Sequence, residues 1–269
     1  MRWILVTGAY GGMGHAAARA LAAEGFGVLA LDRTVGEPEP GIVPVEADVT
    51  DADSLHRAAE TAKQYTEELF AVVHYAGIYR LDSLVEMAEE SFEQIWRVNV
   101  FGAFHVNRIF LPFLREGSRI VMITSELAPL DPLPFTGIYA VTKGALDRYA
   151  YALCMELQLL GISVSVLRAG AVKTGMLGAS TAALEQFCST TRLYRCNAAR
   201  FRAVVDRVEA RCVPPEAVAR KTAAILRKKH PAFAYSLNRN PLLLLLHCLP
   251  QRLQLRIIRR VLRLRPRLP

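Results

Sequence analysis

Apolar residues in this chain gather into short strand-like runs, and between the runs they recur at helical spacing. The pattern predicts strands over 2–7, 28–31, 42–46, 69–74, 119–124, 162–167 and 233–236. The run at 69–74 is apolar up to its closing His74, as a strand buried on both faces should be. Helices are expected over 12–24, closed by Gly25, over 50–65 with Thr50 and Asp53 as a capping box, and around 92–115, 137–160 and 215–229. Residues 175–212 read as irregular. Six to seven parallel strands with crossover helices make an α/β doubly wound sheet, whose ligands lie at the C-terminal strand ends.

Composition adds limits to that picture. At 52% hydrophobic residues the chain can fill a core covered on both faces, and no repeat or linker divides it. Residues 1–236 are expected as one domain with a lid at about 175–212, followed by an appendage over 237–269. Cys154, Cys188, Cys196, Cys212 and Cys248 show neither disulfide nor zinc spacing, so reduced thiols and no metal site are expected. The first strand begins at once, with no signal peptide ahead of it, and the apolar run 242–246 is far short of the roughly 20 residues that cross a bilayer. A cytoplasmic protein, soluble or peripheral to a membrane, is expected. The net charge of +8 splits sharply: residues 217–269 carry 13 Lys/Arg and no acid, and the rest carries a net −5.

Thr7-Gly8-Ala9-Tyr10-Gly11-Gly12-Met13-Gly14 lies between the first strand and the first helix. Phosphate oxygens need backbone N–H donors at a helix N-terminus, and glycine lets them come close. Taken alone, such a cluster can be a mere tight turn. Asp32 after the second strand is placed to accept hydrogen bonds from an adenosine ribose, and its charge favours NAD over NADP. Arg33 could instead receive a 2′-phosphate, and Asp32 could be a turn or cap residue.

Tyr139 and Lys143 stand four residues apart, on one helix face. An ammonium near a phenol favours the phenolate and brings its pKa toward the working range. That pairing alone is common on helix surfaces. Ser125 at a strand's end could hold a carbonyl oxygen beside the phenol, and Asn99 sits mid-helix, where asparagine has poor propensity. Asn99 could equally be a buried hydrogen-bonding residue.

Together these residues resemble the compact form of the short-chain dehydrogenase/reductase family, in family order over about residues 3–235. The resemblance implies a Rossmann-type domain, a cofactor held by Gly8 to Gly14, Asp32, Asp48 and Val49, and a tetrad of Asn99, Ser125, Tyr139 and Lys143. It gives Tyr139 the general acid/base role, Ser125 the carbonyl, Lys143 the nicotinamide ribose and the lowering of the Tyr139 pKa, and Asn99 a relay water. Two departures stand out. Where the family has Asn-Asn-Ala-Gly, this chain has His74-Tyr75-Ala76-Gly77; where the family has Pro-Gly, it has Ala169-Gly170. Ala76 and Gly77 keep the close backbone approach, and Gly170, Val172 and Thr174 stay as cofactor contacts, with Thr174 toward the carboxamide. His74 reads as a core-edge residue.

The expected activity is NAD-dependent interconversion of a secondary alcohol and a ketone. Met176, Leu177, Leu184, Phe187 and Phe201 in the lid, with Leu127, Pro129, Leu130, Leu133 and Phe135, suit an apolar, steroid-like substrate, as in hydroxysteroid dehydrogenases. The same residues could simply pack the lid down. A nucleotide-binding regulator of the same fold without catalysis is the alternative, and an isomerase or epimerase a third. The resemblance also implies a homodimer or homotetramer. In the tail, Arg252, Arg256, Arg259 and Arg263 form a helical stripe beside Leu253, Ile257, Val261 and Leu264. That helix could lie on an anionic membrane, dock on a second subunit or cover the pocket; without aromatics it does not suit nucleic acid.

Overall fold

The computed structural model describes residues 1–209 and 211–263, with the side chains at 176–180, 196, 199 and 206–209 outside the description. Seven strands form one sheet: β1 (Trp3–Thr7), β2 (Gly27–Asp32), β3 (Ile42–Glu46), β4 (Leu69–His74), β5 (Arg119–Ser125), β6 (Ser163–Ala169) and β7 (Ala234–Leu237). Their order is β3-β2-β1-β4-β5-β6-β7, with every pairing parallel. The expected doubly wound Rossmann-type sheet is therefore present. The strand order reverses between β1 and β4, which opens a crevice above their C-terminal ends.

Side chains alternate across this sheet, and each face has its own core. Leu5, Leu29, Val72, Met122 and Val166 face the layer of α2 (Ala52–Lys63), α4 (Gly102–Phe110) and α5 (Gly137–Leu157). Ile4, Val6, Val28, Val73 and Leu167 face α1 (Gly12–Ala23) and α8 (Pro215–Leu226). Both faces are covered, so the strands read as nearly solid apolar runs.

Three expectations need correction. Asp51, not Thr50, caps α2: its carboxylate accepts from the Asp53 N–H at 3.0 Å. Thr50 is drawn off by Asp48, which accepts from both its N–H and its hydroxyl at 2.8 Å. The helix expected near 92–115 is a chain of short pieces: α3 (Glu89–Trp96), a π-helical turn (Arg97–Phe101), α4 and a closing 3-10 turn (Leu111–Phe113). Residues 175–212 are mostly helical, as α6 (Gly175–Thr190) and α7 (Arg195–Glu209). Glycine, serine and threonine in α6 weaken the local helix signal, which contact with the rest of the fold overrides.

Of the residues expected in a lid, Leu184, Phe187 and Phe201 form a satellite core with Leu81 and Phe135, so much of that segment's apolar content packs it down. The side chains of Met176 and Leu177 lie outside the described residues. The appendage is α9 (Pro241–His247) and α10 (Gln251–Leu262). Gln254 of α10 is buried and donates to Asp131 at 3.0 Å and to the Leu249 carbonyl at 2.9 Å. Asn197 of α7 donates to the Leu262 carbonyl at 2.8 Å. Leu264 lies outside the described residues.

Candidate active site

The crevice above β1 and β4 is a cleft of about 590 Å³. Its floor is the β1–α1 loop, and three glycines there allow close backbone passage. A Cβ on Gly8, whose φ is +64°, would lie 2.6 Å from the Ala76 nitrogen. One on Gly14 would lie 2.0 Å from the Gly8 carbonyl oxygen, and one on Gly12 would meet Thr174 at 2.9 Å. Gly11, Met13, Asp32, Arg33, Asp48, Val49, Ala76 and Gly77 line the same cleft. Asp32 accepts from the Tyr10 N–H at 2.9 Å and from the Arg33 N–H at 2.8 Å, which fixes its carboxylate at the cleft edge. The Tyr10 side chain is turned away, stacked on His15 at 5.9 Å, so only its backbone serves the loop. Open space at the floor and an acid at the rim fit an extended dinucleotide.

A second cavity of about 220 Å³ adjoins the first, sharing Met13, Tyr79 and Thr174. Its walls include Leu127, Leu133, Phe201, Val204 and Leu243; its polar groups include Ser125, Glu126 and Tyr139, and Gly170 and Val172 border it. Phe135 belongs to the satellite core, and Leu130 lines a smaller space under α9.

Ser125 ends β5, and Tyr139 lies in the first turn of α5, so sheet end and helix start bring the two hydroxyls together at the wall of this cavity. Burial holds the Tyr139 phenol above its ordinary pKa, the phenol of Tyr79 adds to that, and the nearby Ser125 hydroxyl opposes it. The expectation that Lys143 pulls the phenol down is not what the geometry gives. Its ammonium is 5.9 Å from the Tyr139 ring centre and donates to the Ile123 carbonyl at 3.0 Å. Burial lowers the Lys143 pKa to about 8. Gly77 makes room for it: a Cβ there would sit 3.4 Å from the ammonium and 3.2 Å from Asn99 Oδ1.

Asn99 is buried inside the π-helical turn, and such turns often mark functional sites. Its amide clasps the loop after β4, accepting from the Ile78 N–H at 2.8 Å and donating to the Ile78 carbonyl at 3.0 Å. It also donates to Thr142 Oγ1 at 3.2 Å, which ties that loop to α5 between Tyr139 and Lys143. Sequence reasoning missed Thr142, Tyr79 and Glu126. Tyr79 packs on Tyr139 at 4.8 Å, and Glu126 accepts from the Asn240 N–H at 2.6 Å. The adjacency of Glu126 to Ser125 was the only signal for it, since Asn240 is far along the chain.

The departure at His74-Tyr75 has a structural account. His74 is buried and shares a 2.8 Å hydrogen bond with Asn107, and the Tyr75 hydroxyl meets Thr222 of α8 at 2.6 Å. Both brace β4 against helices. Burial, with Lys143 nearby, lowers the His74 pKa from 6.5 to about 4. On acidification the unfolded chain takes up this proton first, so the fold is fully stable above about pH 6.5 and loses stability as pH falls toward 4. The loss should reach about 2 kcal/mol by about pH 5. Thermal unfolding near pH 7 and near pH 5 should show that drop, and His74→Asn should flatten it; an equal slope in both would show that other groups carry it.

The family model described as short chain dehydrogenase matches residues 2–185. Versicolorin reductase of Emericella nidulans is 30% identical over 208 residues, covering 73% of this chain and 75% of that one. Estradiol 17-beta-dehydrogenase 2 of Mus musculus is 32% identical over 187 residues, 65% of this chain but only 49% of that longer protein. Among solved structures, the 3-ketoacyl-(acyl-carrier-protein) reductase of Brucella melitensis, complexed with NADH, superposes with a TM-score of 0.71 at 23% identity, over 88% of this chain and 96% of that one. That likeness shows the fold. A glycine-floored crevice at the strand-order reversal and a buried Ser-Tyr pair beside it lie within the span of the family match, and the chain belongs to the short-chain dehydrogenase family of oxidoreductases.

Proposed function

We propose that this oxidoreductase interconverts a secondary alcohol and a ketone, with NAD as its redox partner and an apolar substrate of steroid-like bulk. The observation that carries this reading is the Ser125–Tyr139 pair, opening into an apolar cavity that adjoins the glycine-floored cleft. The nicotinamide, when bound, takes a hydride from the carbinol carbon or returns one to the carbonyl carbon. In the reducing direction, Ser125 holds the substrate carbonyl oxygen and Tyr139, whose phenol burial keeps protonated, gives that oxygen its proton as the carbonyl carbon receives the hydride; oxidation is the reverse transfer, from the substrate hydroxyl to the phenolate. Lys143 supplies an ammonium within reach of a ribose at Gly77, and Asn99 holds the same loop at the next residue, Ile78. Apolar walls at Leu127, Leu133, Phe201 and Leu243 favour a greasy substrate, with few polar anchors to fix it.

A panel of steroid, bile-acid and simple secondary alcohols, followed by NADH absorbance, tests the reading. Turnover should be highest with the bulky apolar members; no turnover with any of them, in either direction, would defeat it. Cofactor choice rests on Asp32. Asp32→Ala should lower the preference for NAD over NADP by about tenfold to a hundredfold, the value of one or two charge-assisted hydrogen bonds. Titration of each dinucleotide by fluorescence measures it, and an unchanged ratio would assign the choice elsewhere. A second copy of the chain is a further proposed partner, supported by exposed Phe101, Phe104, Tyr151 and Met155 on the outer faces of the π turn, α4 and α5.

A further inference from the structure

We propose that α9 and α10 form a docking surface for an anionic phospholipid bilayer. Four observations lead there. The last 53 residues of the chain carry every unit of its basic excess and no acid at all. In α10 the inward face is Gln254, Ile258 and Leu262, held against α7 and Asp131. The outward face is thereby committed: Arg252, Arg256, Arg259, Arg260 and Arg263 are all exposed, and none is paired with a carboxylate among the described residues. At the edges of that arginine face stand leucines with no cover, Leu253 and Leu255, and α9 adds Leu242 and Leu245, 67% and 63% exposed.

This combination selects the partner. Arginines alone would suit any polyanion. Exposed leucines beside them need an apolar phase within reach of the charges, and a bilayer of anionic lipid supplies both at one surface. Guanidinium groups reach phosphates at the headgroup level while leucine side chains enter the acyl boundary. No helix among the described residues is long and apolar enough to cross a membrane, so the contact is peripheral. The surface is also rigidly placed. The Asn240 N–H is held by Glu126, and Gln254 and His247 converge on Asp131, while Leu243 of the same helix turns inward to wall the apolar cavity. Docking through α9 and α10 therefore sets that cavity's rim against the lipid.

The test is sedimentation of the full chain with vesicles of phosphatidylglycerol or of phosphatidylcholine. Binding should appear with phosphatidylglycerol at low salt, weaken as salt rises, and be near absent with phosphatidylcholine. Replacing Arg252, Arg256, Arg259 and Arg260 together by glutamine should weaken it by on the order of a hundredfold or more. Leu242→Ser with Leu245→Ser should weaken it at unchanged charge, and thermal unfolding would establish that both variants fold. Absence of vesicle binding at low salt overturns the proposal, as does wild-type binding by either variant. Binding to heparin without binding to vesicles would make the surface a site for another polyanion. An oligomer that the leucine variant dissociates, with lipid binding intact, would make it a subunit contact. Lipid binding is read without turnover, so its failure leaves the oxidoreductase reading standing.

Discussion

Tyr139→Phe should lower kcat by about a hundredfold to ten-thousandfold while leaving dinucleotide affinity and thermal stability near those of the parent chain. The exchange removes one oxygen and little else. The ring still packs on Tyr79, whose centroid is 4.8 Å away, and the Lys143 ammonium keeps its bond to the Ile123 carbonyl. What disappears is the hydroxyl that, in the proposed reaction, exchanges a proton with the substrate beside Ser125. A loss confined to kcat marks an interaction made in the transition state, whereas a loss confined to KM would mark a binding role. Steady-state rates on any accepted substrate, with dinucleotide titration beside them, separate the cases. Unchanged turnover would remove Tyr139 from the chemistry and leave a nucleotide-binding protein that uses this fold without catalysis.

The second large effect belongs to the glycine floor. Gly14→Ala should weaken dinucleotide binding by about a hundredfold or more and cost roughly 2–4 kcal/mol of stability. The added methyl would be fixed on the Gly14 Cα, 2.0 Å from the Gly8 carbonyl oxygen, and that oxygen belongs to the main chain, so no side chain can swing aside. The loop would have to open, and its opening moves the N–H groups that would face a pyrophosphate. Gly175→Ala is the matched control: a methyl there meets nothing within 4 Å, although Gly175 borders the same cleft. Thermal unfolding and dinucleotide titration of the two variants should diverge; equal behaviour would show that the loop is pliant and the contact unimportant.

Much of the fold is legible in the chain because the strands are buried on both faces and the connections are short. Solid apolar runs fall within β1, β2, β4 and β5, and the alternation with helices leaves few ways to arrange them. Candidate site residues were legible for a similar reason: Gly8 to Gly14, Asp32, Ser125 and Tyr139 each sit at a strand's end or a helix's start. What escaped depends on partners distant in sequence. The π-helical turn at Asn99 is set by its clasp on Ile78 and Thr142, and nothing local in Arg97–Phe101 announces it. Asp51 and Thr50 both suit a cap, and the choice fell to Asp48, which took Thr50 away. Helices α6 and α7 carry residues that favour turns, and they hold because Leu184, Phe187 and Phe201 find Leu81 and Phe135 across the chain.

The tether of the appendage bears on how such a protein could change over generations. Glu126 grips the Asn240 N–H, and the Asn197 amide donates to the Leu262 carbonyl, so two of its anchors bind main chain rather than particular side chains. Substitutions at Leu243 or its neighbours can therefore reshape the cavity wall while the helix keeps its seat. Drift in that wall does not have to pass through Ser125, Tyr139 or the glycine floor. A lineage carrying this arrangement can exchange one substrate for another and keep its redox machinery untouched.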